Sequence, residues 1–65
     1  MRNPNRLYRF YDELRRVHME HFPDLRFGQL FIGLMHWITI KKERDPFFIE
    51  ESTMLDLLHE YVEEK

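Results

Sequence analysis

"HFPDLRFGQLFIGLMHWITI", His21 to Ile40, is the stretch whose reading decides the fold. From Phe27 to Ile40 its only polar side chains are Gln29, His36 and Thr39, in a chain where 34% of residues are charged. About fourteen residues of this kind fall short of the ~20 that carry a helix across a bilayer, so the stretch reads as the buried centre of a small domain. Phe27, Leu30, Phe31, Leu34, Trp37 and Ile38 recur at three-and-four spacing, which predicts a helix over about 25–38 capped by Asp24. Ile32 and Met35 lie off this stripe, so the helix is apolar around most of its circumference and is expected to be the central one. Gly28 and Gly33 each weaken it by about 1 kcal/mol relative to alanine, and close approach of the helix backbone to a neighbour is the expected reason for both, with ordinary tolerance as the alternative.

Upstream, Asn3 and Pro4 form a helix start, and Leu7, Phe10, Tyr11, Leu14, Val17, His18 and His21 then make one stripe, predicting a helix over about 4–21. Its other face sets Arg9–Glu13, Asp12–Arg16 and Arg16–Glu20 four residues apart as opposite charges. Downstream, Ile38, Thr39 and Ile40 are largely β-branched and Asp45-Pro46 is a turn signal. A short hairpin pairing 38–40 with 47–49 is one reading of this region. The simpler one is a helix fraying into a loop in which "DPFFIE" acts as a plug, with at least one of Phe47 and Phe48 buried. Met54, Leu57, Leu58, Tyr61 and Val62 are the apolar face of a third helix over about 51–64, with capping side chains available between Glu50 and Thr53. The fold class is therefore all-α: a compact three-helix domain spanning 1–65 with an irregular or short β-like 39–50 connection.

Folding a chain of 65 residues buries only about 60% of the surface that its unfolded form exposes, and no cysteine is present to supplement the core. With 43% hydrophobic and 15% aromatic residues the chain is too apolar for a disordered tail. The charged start lacks the apolar run of a signal peptide, so a cytoplasmic location is expected. Net charge is −2, but it is unevenly spread: +2 over residues 1–22, +2 over 23–44 and −6 over 45–65.

The stretches "PDLRFGQL" (Pro23 to Leu30) and "RDPFFIEE" (Arg44 to Glu51), between a charged helix and an acidic one, resemble a group of short bacterial and phage-type proteins. That group carries P-D-[LM]-R-x-G-Q-L followed by D-P-F-[FY]-I-E and a final helix. The resemblance covers about Leu7 to Tyr61 and implies a shared fold, with no assigned activity to transfer. Read physically, Asp24 caps, Leu25 and Phe27 enter the core, Arg26 reaches a carboxylate, Gln29 satisfies a backbone group, and Phe47, Phe48 and Ile49 pack back after the turn.

Chemistry has few candidates. His18 and His21 share a helical face, with His36 and His59 on the other two helices, and their place at core edges argues against a metal site. Asp56 and His59 are half of a di-metal motif with no second copy. Ser52 is the only serine and Thr39 and Thr53 the only threonines, and capping accounts for Ser52 and Thr53 better than nucleophilic catalysis does. No cofactor is implied. The expected function is non-enzymatic: a small interaction module that binds a protein partner or itself. The alternative is a nucleic-acid-binding regulator using the arginines of helix 1 with Lys41, Lys42 and Arg44, which the acidic last helix disfavours. Candidate partner-binding residues are Arg2, Arg6, Arg9, Phe48, Glu60, Glu63 and Glu64. The acids crowd a negative helix C-terminus and the arginines a positive N-terminus; either a solvated surface tolerates these charges at a cost of a few tenths of a kcal/mol each, or the two ends meet across copies or face a basic external partner.

Overall fold

Asn3 and Pro4 form a turn before the first helix rather than its first residues. The Asn3 side-chain oxygen accepts from the Asn5 N–H at 2.9 Å, and α1 runs Arg6–His21. The computed structural model describes residues 2–65. It places α2 at Phe27–Lys41, a single 3₁₀ turn at Pro46–Phe48 and α3 at Glu51–Glu64, with no strand among the described residues. The molecule is thus an all-α three-helix domain.

Helix α2 continues past Trp37, where the β-branched run pointed to an ending. Thr39 explains part of this, because its hydroxyl donates to the Met35 carbonyl at 2.9 Å and so is accommodated inside the helix. The helix stops where Glu43 adopts a left-handed backbone (φ 53°) and the Arg44 N–H turns back to the Ile38 carbonyl at 3.3 Å. At the other end of α2, Asp24 is not the cap. Arg26 occupies that position, and its N–H donates to the Gln29 side-chain oxygen at 2.7 Å, so Gln29 closes the helix start from within.

Val17, Leu30, Leu34, Trp37, Ile38, Leu55, Leu57, Leu58 and Tyr61 form the core. Four of these belong to α3, which packs on both other helices. Helix α3, not α2, is therefore the central element. The α2 stripe splits: Leu30, Leu34, Trp37 and Ile38 are buried, whereas Phe27 and Phe31 remain exposed. Arg6 pairs with Glu51, and Glu13 with His59, at nearly constant sequence offset, so α1 and α3 run parallel. Parallel packing puts both positive helix N-termini side by side.

The two glycines differ. A Cβ on Gly33 would lie 2.8 Å from the Tyr61 hydroxyl oxygen, so glycine there makes room for the Tyr61 side chain to approach the helix closely. A Cβ on Gly28 would meet nothing within 4 Å, and the expectation of close approach fails there. The "DPFFIE" plug also fails in its stated form. Phe47 and Phe48 are both exposed, and Ile49 is the residue packed against the core. The Asp45 carboxylate accepts from the Phe47 N–H at 2.9 Å, which fixes the turn and holds the two rings outward. Ser52 and Thr53 lie inside the first turn of α3 and do not cap it; Glu50 holds that position, without a side-chain cap.

Candidate functional site

Four elements line an open groove. Its lining includes Tyr11 and Leu14 from α1, Phe27, Phe31 and Leu34 from α2, Pro46 and Phe47 from the 3₁₀ turn, and Met54 from α3, around a volume of about 570 Å³. The fold makes this groove because α1 and α2 are both docked on α3, leaving the outer faces of their apolar stripes to diverge. Phe27 and Phe31 stack at 5.6 Å between ring centroids, and Phe47 and Phe48 meet edge to face at 4.9 Å. Tyr11 is 59% exposed, Phe27 54%, Phe31 46%, Phe47 84% and Phe48 76%. At ~150–250 Å² per aromatic side chain, the four that line the groove, Tyr11, Phe27, Phe31 and Phe47, present roughly 350–600 Å² to solvent, the size of the largest apolar patch of an ordinary monomer (~300–600 Å²).

The stretches Pro23 to Leu30 and Arg44 to Glu51 both contribute to this groove: Phe27 and Leu30 from the first, Asp45, Pro46, Phe47 and Ile49 from the second. Sequence reasoning named Phe48 but missed Tyr11, Phe27, Phe31 and Phe47 as surface. A stripe at helical spacing shows which side chains share a face, and nothing in it shows whether a second element covers that face.

The charged candidates are used differently from expectation. Arg2 pairs with Glu50 at 2.6 Å and Arg6 with Glu51 at 2.9 Å, so the arginines that crowd the start of α1 are matched by acids at the adjacent start of α3. Each glutamate also sits favourably at its own helix N-terminus. The Arg6 guanidinium holds the Glu51 carboxyl below the usual carboxylate range. Arg6, Arg9 and Glu51 line a smaller cleft that shares Phe10 and Glu51 with the aromatic groove. Glu60 pairs with Lys42 at 2.7 Å. Glu63 and Glu64 are exposed at the far end of α3, about 20 Å along the helix from the arginine cluster. Arg2, Arg6 and Arg9 therefore gather at one end of the molecule, Phe48 stands on the aromatic rim, and the three glutamates lie apart from both.

On the face away from the groove, Glu13 accepts from Arg16 at 2.6 Å and from His59 Nε2 at 2.6 Å. These two donors, Arg16 foremost, hold the Glu13 carboxyl at about 2. Arg16 also reaches Glu20, while Arg15 pairs with Asp12; the Arg9–Glu13 and Asp12–Arg16 pairings do not form among the described residues. His18 donates from Nε2 to the Leu25 carbonyl at 2.8 Å, and His21 and His36 are exposed. Among the described residues no three histidine or carboxylate side chains gather as a metal-holding group, and no helix is long and apolar enough to cross a membrane.

No protein-family model matches this chain, and no curated protein or solved structure matches it significantly.

Proposed function

We propose that the chain is a non-enzymatic helical interaction module whose binding surface is the aromatic groove between α1, α2 and the 3₁₀ turn. The observation that carries this reading is the rim of Tyr11, Phe27, Phe31 and Phe47, held in the open by a backbone whose own core is complete without them. Exposed aromatics cost solvation and invite aggregation, and aromatic residues are the side chains enriched at protein interfaces. Hot spots of binding energy are of this type. The motifs of the resemblance converge on the same groove. Two of the four histidines are engaged elsewhere, His18 with a backbone carbonyl and His59 with Glu13, which supports a non-catalytic reading. The cations of α1 are largely matched by carboxylates, which weakens the phosphate-binding alternative.

A photoreactive phenylalanine analogue placed at Phe31, with a second at Arg15 on the charged face as control, tests the reading in living cells. Protein adducts formed from position 31 and not from position 15 are expected. Equal labelling from both positions, or none from position 31, would overturn it.

A further inference from the structure

The groove and the two exposed phenylalanines of the 3₁₀ turn adjoin, since Phe47 lines the groove and Phe48 packs on Phe47. Phe47, itself part of the groove lining, and Phe48 pack edge to face at the tip of the 3₁₀ turn and project from the rim of a groove whose other lining includes Leu30, Leu34, Tyr11, Phe27 and Phe31. A projection and a hollow on the same surface are the requirement for an isologous two-fold contact, in which each copy supplies both halves. We infer that the groove is occupied by a second copy of this chain, the Phe47–Phe48 pair of each copy seating in the groove of the other. This rests on the groove being the interaction surface.

Area supports the same occupant. The four rim aromatics and Phe48 together expose roughly 500–800 Å² per copy, and covering all of it would approach the ~800 Å² per partner that a standard specific interface buries. Two copies that cover this face reciprocally leave neither aromatic rim in water. A chain of 65 residues also gains from the added burial, because its own core is small. The charge layout agrees by what it leaves out: Arg2, Arg6 and Glu60 are each paired within the chain, so this contact is apolar and is expected to persist at high ionic strength.

Sedimentation of the native chain up to ~1 mM, at low and high salt, is the first arm of the test, and a dimer at both salts is expected. The second arm uses two variants, Phe48→Ser, which trims the projection at a residue outside the groove lining, and Phe31→Asp, which spoils the hollow. Both change exposed positions, and far-UV circular dichroism checks that each remains helical; Phe27→Ser replaces Phe31→Asp if that variant does not fold. Each variant is expected to dissociate at least roughly 100-fold more readily than the native chain, the loss that truncating paired hot-spot aromatics produces. Mixing the two variants is expected to restore part of the dimer, since the mixed pair keeps one intact projection in one intact hollow. A native chain monomeric throughout overturns the inference while leaving the interaction module to the cross-linking result. A dimer that survives both variants, or a mixture no better associated than its components, also overturns it.

Discussion

Gly33→Ala sets two effects of known size against each other at one atom pair. Replacing a mid-helix glycine by alanine favours the helix by about 1 kcal/mol. The added methyl, however, would stand 2.8 Å from the Tyr61 hydroxyl oxygen, closer than carbon and oxygen tolerate. Tyr61 has little freedom to withdraw, because its ring is buried between Trp37 (5.3 Å) and Phe22 (5.7 Å). Overpacking of this kind costs roughly 1–3 kcal/mol, so the net change is about 0–2 kcal/mol of destabilisation. In a domain of this size 1 kcal/mol moves the melting midpoint by roughly 4–8 °C, which thermal circular dichroism resolves. The decisive comparison is made in the Tyr61→Phe background. Without the hydroxyl, the nearest atom is the ring carbon at 3.9 Å, an ordinary contact, and Gly33→Ala is expected to become stabilising by up to about 1 kcal/mol. If Gly33→Ala changes stability by the same amount with Tyr61 or Phe at position 61, the close approach is not what holds glycine there.

Gly28→Ala, where a Cβ meets nothing, is expected to stabilise by roughly 0.4–1 kcal/mol in the same melts. Leu34→Ala removes a buried side chain that also floors the groove and is expected to cost roughly 2–5 kcal/mol; a cooperatively melting Leu34→Asp variant would contradict its place in the core. Glu43→Gly relieves a left-handed backbone that costs a non-glycine residue roughly 1 kcal/mol and is expected to raise the melting temperature. Glu13 titrates at about 2 when folded against 4.5 for a free glutamate, so the unfolded chain binds the proton more readily. Its contribution is complete above about pH 4.5 and is lost as pH falls toward 2. Glu13→Gln should therefore flatten the acid limb of a stability-against-pH curve, and an unchanged limb would refute the pairing of Glu13 with Arg16 and His59.

The three helices were legible because each carries a long stripe at helical spacing, and Leu30, Leu34, Trp37 and Ile38 were placed correctly in the core. The end of α2 was misjudged because β-branched side chains bias a segment toward strand only weakly, and the Thr39 bond to Met35 together with packing of Ile38 overrode that bias. The groove was hidden for a different reason. Phe27, Phe31 and Phe47 have the chemistry of core residues, and what exposes them is the docking of α1 and α2 on α3, a tertiary fact that no local pattern encodes. The arginines at the start of α1 looked misplaced because their partners, Glu50 and Glu51, lie more than forty positions away in sequence and become neighbours only when α1 and α3 pack in parallel.

The most direct test of the groove as the meeting surface is an isotope-filtered NOE experiment on a mixed sample of labelled and unlabelled chains at ~1 mM. Intermolecular contacts from the Phe47 and Phe48 rings to Tyr11, Phe27, Phe31 and Leu34 are the predicted result. Intermolecular contacts confined to the charged face of α1, or none at all, would contradict the pairing of two copies through the groove.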